Sequence, residues 1–208
     1  MSPHIIQCEN LTATYPPRTA LHDITCTITR GHLHMVIGGN GAGKSTLLRC
    51  WAGLHRPASG TVHWHWREHG AAPLAYLGEA DYLYAGATVA ENLFLTAALC
   101  GRPHTDAEKL LTAWQLDAWR ERRCQQLSRG ERRKVALARA WLAGRELLLL
   151  DEPLVGLDPD GVAQVRTMIA HALTQGRTIV LAVQTMHALE HIACTTTQLA
   201  KGRVAHAA

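Results

Sequence analysis

The run Gly38-Gly39-Asn40-Gly41-Ala42-Gly43-Lys44-Ser45 matches the pattern G-x-x-x-x-G-K-[ST] at every fixed position. Small residues let such a loop wrap closely, so that successive backbone N–H groups and the positive end of a following helix converge on phosphate oxygens. Lys44 would then reach the outer phosphates of a nucleotide, the Ser45 hydroxyl would ligate Mg2+, and Thr46 continues the phosphate-binding run. A site of this kind also needs a carboxylate for the metal, held at a strand end. Leu147-Leu148-Leu149-Leu150 followed by Asp151-Glu152 supplies it. Asp151 is expected to hold Mg2+ through water and Glu152 to polarise an attacking water, which points to hydrolysis of a Mg-bound nucleotide.

These residues need a scaffold of alternating strands and helices. Ile5 to Leu11 and Leu21 to Ile28 alternate apolar and polar positions, and the short apolar run His34 to Ile37 stops at the Gly-rich loop. Ser45 to Leu54 reads as a helix, with Leu47, Leu48 and Trp51 at core spacing and Gly53 near its end. Helical periodicity runs from Thr88 to Trp119, broken at Gly101-Arg102-Pro103, and again from Gly130 to Ala143 and from about Val162 to Leu173. Leu147 to Leu150 and Ile179 to Val183 are continuously apolar, the mark of strands buried in a mostly parallel sheet.

A third motif, Leu127-Ser128-Arg129-Gly130-Glu131, stands between the other two, and with it the chain resembles the ATP-binding-cassette (ABC) ATPases. The stretch departs from the family's LSGGQ at its third and fifth positions but keeps Ser128 and Gly130 ahead of a helix. In the family this segment closes on the γ-phosphate held by the other subunit of a head-to-tail dimer. The resemblance implies an α/β fold. It would comprise a P-loop NTPase core of ABC type (residues 1–79 and 143–208), an N-terminal antiparallel β region near Tyr15 and Thr61, and an inserted helical subdomain at about residues 80–142. It also implies that Tyr15 stacks on the adenine of ATP and that Asp158, in Gly156-Leu157-Asp158, is the carboxylate of the loop through which the two sites communicate.

Two positions depart from the family. Its lobe-connecting loop usually starts with a Gln that senses Mg2+, and here Glu79 or Ala80 takes that place, depending on alignment; Glu79 is the candidate ligand. After the strand Ile179 to Val183 the family has a His that contacts the γ-phosphate, whereas this chain has Gln184, with His187 three residues later. A Gln amide donates a hydrogen bond to phosphate but cannot become cationic. Hydrolysis is expected to be slow, or assisted by Glu152 alone, unless a shifted loop brings in His187.

The interval from Lys44 to Ser128 has room for a small helical lobe but not for a long coiled-coil arm. This favours a transporter ATPase subunit acting through separate membrane subunits. Short length and the stretch Gln126 to Leu142 resemble the heme-exporter ATPases of cytochrome c maturation, which implies CcmB, CcmC and CcmD as membrane partners and a homodimer of cassettes. A regulatory cassette that closes on ATP with little hydrolysis, and an ATPase for another small solute, are the alternatives. In His63-Trp64-His65-Trp66 the two His lack a third ligand and read as a solvent-facing strand pair rather than a heme or metal site.

Composition bounds the rest. The 208 residues are 47% hydrophobic and 18% charged, which excludes disordered, collagen-like and coiled-coil chains. A formal charge of +4 is too small to argue for nucleic acid, although arginines crowd the stretch from Arg120 to Arg145, read by default as a solvated face. The six cysteines are scattered without a C-x-x-C pair and read as reduced thiols. With no secretory segment at its start and no apolar run long enough to span a bilayer, the chain is expected in the cytoplasm, peripheral on the inner face of the plasma membrane.

Overall fold

The computed structural model describes residues 2–66, 74–144, 146–185, 189 and 192–207. His187 and Arg145 fall outside these residues. Two sheets share the molecule. In the first, β1 (His4–Tyr15) pairs antiparallel with β2 (Arg18–Thr29) on one side and β4 (Ser59–Trp64) on the other. The expected antiparallel region is therefore present, with Glu9 opposite Thr61.

The second sheet has six strands. Besides β3 (Leu33–Ile37) it contains β5 (Leu74–Leu77), β6 (Leu147–Asp151), β7 (Thr178–Val183), β8 (Cys194–Ala200) and β9 (Arg203–Ala207), in the order β5-β6-β7-β3-β8-β9. All pairs are parallel except β8–β9. The order places β3 beside β7 and β7 beside β6, so the segments leaving β3 and β6 emerge at one sheet edge, two strands apart. That is the switch point at which open parallel sheets bind ligands.

Alternation along the buried strands divides the core in two. Leu148 and Leu150 of β6, Ile179 and Leu181 of β7, and Leu33 and Met35 of β3 belong to one apolar cluster. It also takes in residues of α2 (Val89–Leu99), α3 (His104–Ala113), α4 (Arg129–Ala143) and α5 (Pro159–Thr174). Leu147, Leu149, Val180, Ala182 and Val36 face the other way, against α1 (Lys44–Trp51) and the antiparallel sheet. Residues i and i+2 of a strand share a face, so a run of leucines here serves two cores at once.

Helix ends follow local chemistry. α1 stops at Trp51, earlier than the apolar spacing predicts, because Gly53 takes φ +71° and closes the end with Gly53 N–H to Cys50 O (3.1 Å) and Leu54 N–H to Arg49 O (2.8 Å). Gly101, at φ +60°, ends α2 in the same way. Thr88 and Ser128 open α2 and α4 with capping boxes to Glu91 and Glu131. In α4 the fifth residue of the 127–131 motif is therefore an acid used structurally: the Ser128 backbone N–H donates to Glu131 Oε2 at 2.6 Å, and this bond foremost holds the Glu131 carboxyl below its usual range.

One polar pairing ties β3 to β8. The His34 ring is buried and meets Thr195 Oγ1 at 2.6 Å through Nδ1 and Thr197 Oγ1 at 3.0 Å through Nε2. Burial pushes its pKa down to about 4, so it stays neutral in the fold. An unfolded chain takes up that proton near pH 6.5, so the contribution of His34 is complete above about pH 6.5 and is lost as pH falls toward 4. A His34→Gln variant should flatten that part of the curve of urea-unfolding free energy against pH; an unchanged slope would show that other groups carry it.

Candidate functional site

The loop after β3 is shaped by what its glycines leave out. A Cβ on Gly38 would lie 2.5 Å from Leu199 O, and one on Gly43 would lie 2.6 Å from Leu21 Cδ2 and 2.9 Å from Ala20 O. Gly43 also takes φ +105°, a region side-chain-bearing residues avoid, and stands at the N-cap of α1 with no side chain to cap it. The first turn of α1 carries no acidic residue. Its free N–H groups and dipole are thus open to an anion.

Lys44 opens α1 and is buried, with Nζ donating to Gly38 O (2.7 Å) and Gly39 O (3.3 Å) and pairing with Glu152 Oε1 at 3.2 Å. Glu152 sits just past β6 at φ +46°, its N–H bonded to Ala182 O of β7 (2.9 Å). Asp151, the last residue of β6, is 2% exposed, and its Oδ1 is buried without a hydrogen-bond partner. A buried carboxylate oxygen left without a donor is costly unless something positive meets it.

The strand end is held by a residue that the sequence analysis placed only within a basic run. Arg133 of α4 is 4% exposed. One arm of its guanidinium donates to Gly78 O (2.9 Å) and Asp81 Oδ1 (3.3 Å), the other to Asp151 O (2.6 Å) and Glu152 O (3.1 Å). It thereby joins α4, the loop after β5 and the acidic pair. A planar fork with several donors can do this, whereas a lysine point charge cannot.

These elements enclose a cavity of about 590 Å³. Asn40 to Thr46, Glu79, Asp151, Glu152 and Gln184 all line it. Gly38 and Gly39 lie behind it, with their carbonyls on Lys44. Ala20, Asp81, Arg129, Arg133 and Val155 complete the wall, and no earlier expectation placed them there. The donor set fits Mg2+. Asp151 with its orphaned oxygen, the Ser45 hydroxyl and Glu79 are hard oxygen ligands on one cavity, and Mg2+ ordinarily needs only one or two carboxylates beside substrate phosphates and water. When bound, the ion would neutralise charge developing on the transferred phosphate.

Besides Gly38 and Gly39, four expected residues are not on the wall of this chain's own cavity. Tyr15 is half-exposed, and its ring lies on that of His55, centroids 4.4 Å apart. Ser128 caps α4, and a Cβ on Gly130 would lie 2.7 Å from Gly156 O, so the motif packs against the loop that follows Glu152. Asp158 caps α5, accepting from Gly161 N–H at 2.8 Å with Lys134 Nζ 3.5 Å away; those two contacts hold its carboxyl below the usual range. Of the histidine pair, His63 is exposed on β4. Trp64 donates its indole N–H to Trp51 O (2.8 Å), and no group of three metal-ligating side chains occurs among the described residues.

The family model described as ABC transporter matches residues 21–155, which run from β2 through the phosphate loop and the 127–131 motif to the acidic pair. The chain belongs to the ABC transporter family. Among curated relatives, this cassette is 38% identical over 190 residues to the cytochrome c biogenesis ATP-binding export protein CcmA of Albidiferax ferrireducens, covering 88% of the chain and 89% of the relative. It is 30% identical over 192 residues to the lantibiotic transport ATP-binding protein SrtF of Streptococcus pyogenes, covering 91% and 84%. Among solved structures, the ATP-binding subunit of an ABC transporter superposes with a TM-score of 0.87 at 27% identity, covering 98% of the cassette and 89% of that chain. The cassette is an ATP-binding subunit of an ABC transporter and hydrolyses ATP.

The Arg133 fork carries a prediction. Arg133→Lys keeps the charge but leaves at least two of the four acceptors unpaired, at a cost of about 2–4 kcal/mol. Urea unfolding should register that loss, and ATP turnover measured where the variant is still folded should fall at least tenfold. A variant with wild-type turnover would show that the fork only stabilises the fold.

Proposed function

We propose that this cassette closes head-to-tail on a second, identical cassette around Mg-ATP and so drives conformational change in separate integral membrane subunits, as part of a heme exporter of cytochrome c maturation. The carrying observation is the cavity that gathers Lys44, Ser45, Asp151, Glu152 and Gln184 at one sheet edge. Lys44 and the α1 N-terminus would take the phosphates, and Ser45, Asp151 and Glu79 the metal. Glu152 would polarise the attacking water while Gln184 hydrogen-bonds the terminal phosphate.

Placement of Ser128 and Gly130 away from their own cavity suits a motif that serves the nucleotide of the second cassette, with Asp158 at the loop between the two sites. Tyr15 would meet the adenine once its ring leaves His55. The helical segment at about residues 80–142 would act as the lobe that touches the membrane subunits, which under this reading are CcmB-, CcmC- and CcmD-like. No helix among the described residues is long and apolar enough to cross a membrane, which fits a peripheral place on the cytoplasmic face. The heme-exporter assignment is supported by relatives named CcmA in several organisms at 34–38% identity. A second reading, export of another solute such as a lantibiotic peptide, is supported by the likeness to SrtF.

ATP turnover of the cassette co-expressed with its native membrane partners tests the mechanism. Glu152→Gln should lose at least a hundredfold in turnover and keep nucleotide binding; Gln184→His should gain. A wild type no more active than Glu152→Gln would sink the motor reading in favour of a nucleotide-gated clamp. Co-purification of heme-handling membrane subunits separates the two transport readings.

A further inference from the structure

Two thiols face each other in the antiparallel sheet, on its side packed against α1. Cys8 of β1 and Cys26 of β2 are directly opposed in register, and their sulfurs lie 3.3 Å apart, closer than two sulfurs normally approach without a shared proton or a bond. Cys8 is sealed in the core, whereas Cys26, on a strand at the sheet edge, is partly exposed. Directly opposed residues of antiparallel strands have Cβ atoms within about 4.5–5.5 Å, next to the ~3.5–4.5 Å a disulfide needs, so joining this pair asks for little backbone movement.

We propose that Cys8 and Cys26 form a reversible dithiol–disulfide modification site, oxidised by hydrogen peroxide, with Cys8 as the attacking sulfur and Cys26 as the resolving one. The roles follow from the surroundings. The close approach of Cys26 foremost lowers the Cys8 pKa to about 7 against the opposing effect of burial, while the same contact and burial raise that of Cys26. The buried Trp51 indole N–H has no other partner and favours the Cys8 thiolate. Cys50 of α1, in the same apolar cluster, is pushed up to about 11 and stays a thiol. Only a small uncharged oxidant reaches a sulfur this deep, which selects peroxide over bulky disulfides.

The chemistry balances in two steps. The Cys8 thiolate attacks one peroxide oxygen. An S–O bond forms, the O–O bond breaks, and the departing hydroxide takes up a proton to leave as water, giving Cys8 sulfenic acid. The Cys26 sulfur then attacks Cys8 Sγ. The S–S bond forms, the S–O bond breaks, and the second hydroxide leaves as water with the Cys26 proton. The sulfurs lose two electrons in all and the peroxide gains them. A dithiol reductant reverses the change by thiol–disulfide exchange.

The test uses the full-length reduced protein, treated with hydrogen peroxide, alkylated and digested without reduction. The expected product is a single cross-linked pair of peptides carrying Cys8 and Cys26, lighter by two hydrogens and released by dithiothreitol. Its rate of formation should rise roughly tenfold between pH 6 and pH 8, as Cys8 ionises. In Cys26→Ser the Cys8 sulfenic acid should persist and be trapped by a dimedone reagent present as the protein is unfolded in denaturant. The wild-type map needs no variant to fold. Recovery of both thiols alkylated after peroxide, a Cys8–Cys50 bond, or Cys8 sulfinic acid without a cross-link would each overturn the proposal.

Discussion

Close backbone contact around the phosphate loop is the constraint on which the site depends. Gly38 presses against Leu199 O of β8 and Gly43 against Ala20 O of β2. The turn between β8 and β9 closes the ring: Gly202, where a Cβ would lie 2.5 Å from Ala20 O, donates its N–H to Ala42 O (3.0 Å) and accepts from His22 N–H (2.7 Å). Three chain segments far apart in sequence thus touch through backbone atoms, at distances that exclude side chains. The loop is held in its anion-binding shape by neighbours rather than by its own composition alone.

The acidic half of the site is built by the opposite means, a long side chain reaching inward. Arg133 donates to the Asp151 and Glu152 carbonyls at the end of β6, and it does so from α4, the helix that Ser128 caps. The 127–131 motif and the carboxylates are therefore mechanically joined within one chain. Movement of α4 relative to the sheet must pass through this guanidinium. Asp151 Oδ1 is left as the position no protein group fills.

The parts of this arrangement governed by local chemistry are visible in the sequence. The phosphate loop, α1, α4, β6 and β7 have unmistakable runs or caps, and the structure finds them within a few residues. Other parts depend on partners distant in sequence. β8 reads Cys-Thr-Thr-Thr-Gln-Leu-Ala and has no apolar signature, because two of its threonines are satisfied by His34, a residue that itself reads as one more member of a strand. β5 has only four residues. Arg133 lies among arginines whose default place is the surface, and nothing local distinguishes the one whose acceptors are carbonyls 18 and 55 residues away. At position 131 the sequence shows a departure from the family's Gln, and the structure supplies its local use: Glu131 closes a capping box with Ser128, which a Gln could also do.

The ion pair between Lys44 and Glu152 couples the two halves of the site through one charge. The same ammonium also donates to the Gly38 and Gly39 carbonyls, so it ties the phosphate loop to the end of β6. A multiply charged anion in the cavity would compete with a single carboxylate for that cation. Under the proposed roles, taking up phosphate and freeing the acid would then be a single event, because both draw on the same charge.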